Sequence, residues 1–259
     1  MSEVVACLRE PYPIVSNEKL AYNVFELVVS CPGIASEARP GQFVNLYCRH
    51  EGRLLPRPIS ICEVGREQGQ LHLVYAIMGE GTREMTGFTS GETVEVMGPF
   101  GNGFDISHQG DDHLIVAGGV GTPPMLELCK HLDGKKTIVL GFRSQSFLVD
   151  RFKRYGDVYV ATDDGAEGFK GNVVELLKEH GLLGNIYGCG PTPMLKSLQQ
   201  FAADNNLEAQ LSLEARMGCG VGCCVGCVTR VVSDSDVGYA YKKVCKEGPV
   251  FNAQEVIFP

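Results

Sequence analysis

Three things are scarce in this 259-residue chain: positive charge, long apolar runs, and histidines at ligand spacing. Lys and Arg number 23 against 31 Asp and Glu, giving a formal charge of −8 and a pI of about 5.3. That balance argues against nucleic acid and anionic membrane as partners, since both select a basic face. No apolar stretch approaches the ~20 residues needed to span a bilayer. The opening Met1-Ser-Glu-Val-Val-Ala has no basic segment and no long apolar run, so no signal peptide is expected and a cytoplasmic location is. The six histidines, at positions 50, 72, 108, 113, 131 and 180, are scattered. There is no G-x-S-x-G, no His-bearing metal motif, no internal repeat and no low-complexity segment, which removes serine-hydrolase and histidine-metal chemistry from consideration.

What is present is 44% hydrophobic residues, enough for proper cores, and a length that suits one large or two modest domains with a small appendage. There are also eleven cysteines. Without a secretory signal they imply a reducing compartment, where a cysteine cluster is more often metal-binding or redox-active than disulfide-forming. Four of them fall within nine positions in Met217-Gly-Cys-Gly-Val-Gly-Cys-Cys-Val-Gly-Cys-Val-Thr229. Cys219, Cys224 and Cys227 give C-x4-C-x2-C, the plant-type [2Fe–2S] spacing, which needs a fourth thiolate from further on. Cys245 is the only cysteine downstream. The intervening glycines let a loop wrap a cluster with positive φ and bring backbone N–H groups near sulfur. A zinc half-site at Cys224-x2-Cys227 is the competing reading, but no second C-x2-C exists and no His follows His180. Cys223 fits no spacing and reads as a small packed thiol beside the cluster.

Residues 1 to about 100 read as β. Short segments at 4–8, 24–29, 42–48, 59–64, 70–77 and 93–97 are rich in Val, Ile, Leu or Tyr and are punctuated by Gly and Pro. Six such strands suggest a small antiparallel barrel, with one helix at 82–88. From His113 strands and helices alternate. Strands are expected at 114–117, 137–142, 158–161, 185–187 and 209–213, and helices at 123–132, 172–180 and 192–205. Such alternation means a parallel sheet covered by helices. The remainder is Gly-rich and too short for a core of its own, so a bound cluster would hold it together. The expected division is a barrel over 1–103, an α/β nucleotide-binding domain over 104–213 and a cluster subdomain over 214–259.

Two Gly-rich turns follow strands of the parallel sheet and open helices. In Gly118-Gly-Val-Gly-Thr-Pro-Pro124, Gly118, Gly119, Gly121 and Thr122 offer backbone N–H groups to a pyrophosphate, although Pro124 stands where the third glycine of a Rossmann fingerprint would be. The second is Tyr187-Gly-Cys-Gly-Pro191, contributing Gly188, Gly190 and Pro191. Together they indicate a nucleotide site at the carboxyl ends of the strands. In the barrel, Arg57-Pro58-Ile59-Ser60 starts a strand; the Arg57 fork suits a phosphate and Ser60 offers a hydroxyl, while an incidental Arg-Pro at a barrel edge is the alternative. Gly79-Glu-Gly81-Thr82-Arg83 opens a helix or makes a hairpin turn. Asp163-Asp164 contacts a ribose or caps a turn, the latter being preferred. Arg143-Ser144 sits where a 2′-phosphate would be met.

Together these residues resemble the ferredoxin–NADP reductase superfamily: Arg57-Pro-Ile-Ser60 resembles its R-x-x-S flavin motif and Gly188-Cys-Gly-Pro191 its C-G-P nicotinamide motif. The cysteine segment, Val244-Cys-Lys-Glu-Gly-Pro-Val-Phe251 and Thr162-Asp-Asp-Gly-Ala-Glu-Gly-Phe-Lys-Gly171 are similar to the electron-transfer subunits of type B dihydroorotate dehydrogenases. The resemblance covers essentially the whole chain; Cys223 departs from it, standing where a small non-thiol residue is expected. It implies FAD, one [2Fe–2S] cluster and NAD, and a catalytic partner carrying FMN in a heterotetramer of two of each, serving pyrimidine (UMP) biosynthesis. It further implies that Val74, Tyr75 and Ala76 join the flavin-binding set, with Gly81 and Thr82, and that Cys189 lies on the hydride path. Hydride moves two electrons and the cluster one, so flavin belongs between them; the base that dihydroorotate oxidation needs would lie on the partner. Two alternatives remain: the small subunit of an NADH-dependent ferredoxin:NADP oxidoreductase, which the Val244–Phe251 stretch disfavours, and a zinc-stabilised interaction module without flavin.

Overall fold

The computed structural model describes residues 8–107 and 112–259. Its first unit is a closed six-stranded antiparallel barrel formed by β1 (Glu10–Ala21), β2 (Val24–Ser30), β3 (Phe43–Tyr47), β4 (Arg57–Gly65), β5 (Gln70–Ala76) and β6 (Thr93–Phe100), in the order β1-β2-β5-β4-β3-β6. Most of the strand expected at 4–8 lies outside the described residues, and the barrel opens instead with β1, which the sequence reading missed. The reason is visible in its pairing. Glu10–Pro13 pairs with β6 and Ile14–Ala21 with β2, so Pro11 and Pro13 fall where the strand has a single partner and a missing N–H is tolerated. Alternating residues fill the barrel: Val44 and Leu46 from β3, Leu71 and Leu73 from β5, Val94 and Val96 from β6. Two short helices join strands, α1 (Pro32–Glu37), which was not expected, and α2 (Glu80–Met85), two residues ahead of its expected start.

The second unit is a seven-stranded sheet. β7 (Asp112–Gly118), β8 (Lys135–Phe142), β9 (Asp157–Thr162), β10 (Phe169–Lys170), β11 (Asn185–Cys189) and β12 (Ala209–Ser212) run parallel in the order β10-β9-β8-β7-β11-β12. The connections are α3 (Thr122–His131), α4 (Val149–Phe152), α5 (Val173–Glu179) and α6 (Thr192–Asp204). Strand alternation sorts the two faces. Leu114 and Val116 of β7 pack with α5 and α6, whereas Ile115 and Ala117 pack with α3 and α4. Strand order reverses between β7 and β11, the point at which such sheets form a ligand crevice.

The remaining strands belong to the tail. β13 (Val228–Val232), β14 (Tyr239–Lys243) and β16 (Val256–Ile257) make a three-stranded sheet, while β15 (Val250–Asn252) pairs antiparallel with β12 and becomes the edge of the large sheet. The polypeptide thus leaves the sheet at β12 and returns beside it. None of these tail strands was expected, because their short polar runs lack a sustained period. No helix among the described residues is long and apolar enough to cross a membrane.

Barrel and sheet are joined by an ionic seam. The carboxylate of Glu127 on α3, only 1% exposed, accepts the Val64 N–H of β4 at 2.8 Å and the Lys130 ammonium at 3.1 Å, with His131 Nε2 3.0 Å away. Beside it Arg151 of α4 donates to Glu26 of β2 at 2.7 Å and to Glu63 of β4.

Candidate functional site

The carboxyl ends of β7 and β11 lie against one side of the barrel and leave a cleft of about 280 Å³ between them. Its barrel wall is Arg57, Pro58, Ile59 and Ser60 at the start of β4, with Val74, Tyr75 and Ala76 at the end of β5 and Thr82 of α2. Its sheet wall is Gly121, Cys189 and Gly190. Candidates separated by up to some 130 positions in sequence therefore face one space.

Local chemistry explains how each wall is held. Gly81 lies under the Arg57 guanidinium; any Cβ there would collide with it, so glycine is what lets the arginine lie flat on α2. Arg57 Nη1 donates to the carbonyls of Leu55 and Pro56, at 2.8 and 3.2 Å. The Thr82 hydroxyl receives the N–H groups of Met78 and Gly79 and donates to the Gly79 carbonyl, which starts α2 at this turn; the helix reading of Gly79–Arg83 is the one the fold adopts.

On the sheet side the glycines divide by role. Gly121 presses against the backbone of Cys189 and Gly190, so the two Gly-rich turns touch and no side chain fits between them. Gly118, Gly188 and Gly190 are close-packed against Met194 or leucine side chains beneath the turns, and Pro191 caps α6. Gly119 differs: its φ is +53° and none of the described residues lies within 4 Å of where a Cβ would stand, which leaves an open approach to backbone. Nearby, at the start of α3, the Thr122 hydroxyl is fully buried with no hydrogen-bond partner among the described residues. A left-handed open glycine, a helix N-terminus and an orphaned hydroxyl fit a pyrophosphate. Cys189 is buried in the cleft wall; burial pushes its thiol up to about 12 against the opposing effect of the Ser212 hydroxyl, so it stays neutral. Asp164 accepts the Ala166 N–H at 2.9 Å and so shapes a turn.

The cysteine loop begins beside the cleft, since Met217 lines the cleft and Cys219 follows two residues on. The four expected ligands come together as two pairs. The Cys224 N–H donates to Cys219 Sγ at 3.4 Å, and Cys227 and Cys245 face each other, with the Gly222 N–H donating to Cys245 Sγ at 3.2 Å. Among the described residues no three His, Cys, Asp or Glu converge on one point as for a single metal ion. Two pairs suit a two-iron cluster, in which each iron takes two thiolates besides the bridging sulfides. Burial opposes ionisation of Cys219, yet the N–H groups of Cys224 and Val221 and the Cys224 thiol outweigh it and pull that thiol below its ordinary value. Burial, with Cys227 alongside, pushes Cys245 the other way. Cys223 is exposed, outside both pairs.

Several wall residues were not anticipated: Phe43, Val120, Ser212, Glu214, Met217 and Pro249. Val120, Met217 and Pro249 fall inside motifs already singled out, which was the available signal; Phe43, Ser212 and Glu214 carry none.

Comparison with known proteins agrees with this geometry. Residues 214–257 match the family described as the iron-sulfur cluster binding domain of dihydroorotate dehydrogenase B. The whole chain is similar to proteins named dihydroorotate dehydrogenase B (NAD(+)), electron transfer subunit. The one from Caldanaerobacter subterraneus subsp. tengcongensis is 40% identical over 95% of this chain and 97% of its own. That of Geobacillus sp. strain WCH70 is 41% identical over 96% and 98%. Among solved structures, an NADH-dependent reduced ferredoxin-NADP oxidoreductase superposes with a TM-score of 0.85 at 30% identity, over 95% of this chain and 89% of that one. A Neisseria gonorrhoeae ferredoxin NADP+ reductase shares the fold, with a TM-score of 0.62 at 19% identity over 75% and 90%.

Proposed function

Because the chain belongs to the family of electron-transfer subunits of NAD-dependent dihydroorotate dehydrogenase B, we propose that it carries electrons between NAD and a catalytic partner subunit through FAD and a [2Fe–2S] cluster, and that each cofactor has the seat described above. FAD occupies the barrel side of the cleft, with Arg57 at its pyrophosphate and Ser60, Val74, Tyr75 and Ala76 along the ring; Gly81 keeps Arg57 in place and Thr82 fixes the turn beneath. NAD enters over Gly119, Gly121 and Thr122, with Gly188–Pro191 shaping the floor and Cys189 beside the hydride path. Cys219, Cys224, Cys227 and Cys245 hold the cluster. The units follow as FAD-binding 1–103, NAD-binding 104–213 and cluster-binding 214–259. The partner carries FMN and the base for dihydroorotate oxidation, and the assembly is a cytoplasmic heterotetramer.

When bound, flavin supplies the conversion between two-electron hydride chemistry and the one-electron chemistry of the cluster. The chain's own contribution is placement and exclusion. The abutting turns at Gly121 and Cys189 fix the nicotinamide floor, the neutral Cys189 thiol adds no charge there, and the apolar Phe43 and Met217 separate cleft from loop. The observation that carries the reading is the meeting of the two halves: Met217, which lines the cleft, is two positions from the first cysteine of the loop. The ferredoxin:NADP alternative shares this architecture, but the dihydroorotate relatives are more alike in sequence, 40–41% against 30%.

The test is Arg57→Ala. Losing a charge-assisted phosphate contact costs roughly 1.5–3 kcal/mol, or about 10- to 150-fold in FAD affinity. The variant is expected to purify depleted in flavin and replete in iron; full flavin occupancy would sink the assignment.

A further inference from the structure

We infer that Asn45 is a positioning residue for the iron–sulfur centre, tying the flavin-bearing wall of the barrel to the cluster loop; the inference rests on the cluster reading above. Alternation along β3 sends Val44 and Leu46 into the barrel core and Phe43, Asn45 and Tyr47 outward. An asparagine facing outward from a barrel strand belongs in water. Asn45 is instead 0% exposed, because the cysteine loop covers it. Its Nδ2 donates to the carbonyl of Cys219, a proposed ligand, at 3.2 Å. Its Oδ1 is buried with no hydrogen-bond partner among the described residues. The next loop residue, Gly220, has φ +68°, and a Cβ there would run into the Asn45 carboxamide. The backbone of Cys219-Gly220 therefore lies directly on one side-chain amide.

The other end of this link is the flavin wall. In the β3–β4 ladder Asn45 stands opposite Pro58, and Phe43 opposite Ser60. Pro58, Ser60 and Phe43 all line the cleft. One residue of one strand thus touches the first cysteine on one side and is in register with the flavin motif on the other. A buried amide oxygen without a donor is unfavourable and rare in a folded interior. An alanine or apolar residue would avoid that burden but leave the Cys219 carbonyl without this donor, so the amide acts as a fixed dipole in a low-dielectric wall beside a redox centre, where outer hydrogen bonds orient ligands and set potential.

Two near-isosteric variants test this in the full chain copurified with its partner. Asn45→Asp removes the donor and adds a carboxylate; Asn45→Leu removes both polar atoms. The readings are iron and flavin content, the electron paramagnetic resonance spectrum of the reduced protein, the midpoint potential by redox titration, and stopped-flow rates. With iron retained, the aspartate variant is expected to lower the midpoint potential and both variants to alter the spectrum. Both are expected to slow flavin-to-cluster transfer by about ten-fold, the lower end of what outer hydrogen-bond partners of metal ligands contribute. Flavin reduction by NADH stays at the wild-type rate. Wild-type potential, spectrum and transfer rate in both variants would overturn the inference, and so would loss of iron from both, which would leave Asn45 a folding role alone. A wild-type protein with no iron–sulfur spectrum would bring down the proposed function itself.

Discussion

Replacing Arg151 with Met isolates the seam that holds barrel and sheet together. The Arg151 side chain is 24% exposed, and those of its two acceptors, Glu26 and Glu63, are 15% and 25% exposed. Burial opposes charge on both carboxylates, yet His72 and Arg151 at Glu26, and Arg151 and Lys130 at Glu63, outweigh it and hold both below their ordinary value of 4.5. Methionine keeps the stem's packing and removes the fork. Two half-buried carboxylates then lose the Arg151 fork, although His72 remains 3.0 Å from Glu26 and Lys130 3.5 Å from Glu63. Breaking a buried pair costs roughly 3–5 kcal/mol, and the surviving partners and partial exposure favour the low end, about 3. For a chain of this size that lowers the melting temperature by roughly 6–12 °C. The pH dependence has a fixed sign. A carboxylate whose folded pKa is depressed contributes stability that is fully present above its unfolded pKa of 4.5 and is lost as pH falls through the folded pKa. The gap between wild type and Arg151→Met is therefore full at neutral pH and closes as pH falls through the folded pKa values of the two carboxylates. Thermal release of flavin, followed by fluorescence for both proteins at several pH values, measures it. A neutral-pH gap below about 1 kcal/mol, the value of an exposed pair, or one that does not narrow in acid, would refute the reasoning.

At the turn where Gly121 meets Cys189 and Gly190, Gly121→Val would push the two loops apart at a cost of roughly 1–3 kcal/mol. KM for NADH is expected to rise at least about ten-fold, while chemically reduced flavin still passes electrons to the cluster; an unchanged KM counts against the site. Cys245→Ser should strip or destabilise the cluster and loosen the partner, leaving flavin reduction by NADH largely intact, whereas exposed Cys223→Ser should do neither. Iron analysis and sedimentation of the complex decide, and iron loss in the Cys223 variant but not in Cys224→Ser would reverse the ligand choice.

Much of the architecture could be read in the chain because burial writes a period. The alternation of Val44 and Leu46 marks the barrel-facing side of β3, and the apolar run Leu114–Ala117 marks a strand covered on both faces. Where burial is one-sided and sparse the text fades. β1 buries only Ile14 and Ala21 and carries two prolines, and α1 is too short to complete two turns. The glycine turns and cysteine spacing pointed to their chemistry, whereas the flavin strand relied on resemblance, since the Arg57 fork suits any phosphate and an Arg-Pro at a barrel edge is equally an incidental start. Asn45 was invisible for a different reason: its environment is made by a loop 174 residues away, and no local pattern records that.

The return of the chain at β15 makes the cysteine segment a closed loop rather than a free end. Both of its ends are fastened to one strand, β12 through the chain at Ser212 and through the ladder at Val250. If iron is lost, the thiol-bearing stretch still samples only a small volume around its seat, and its effective local concentration stays in the range of a short tether. Reforming the centre then requires ordering a loop of fixed ends, whose closure entropy grows only slowly with length, and not refolding a domain.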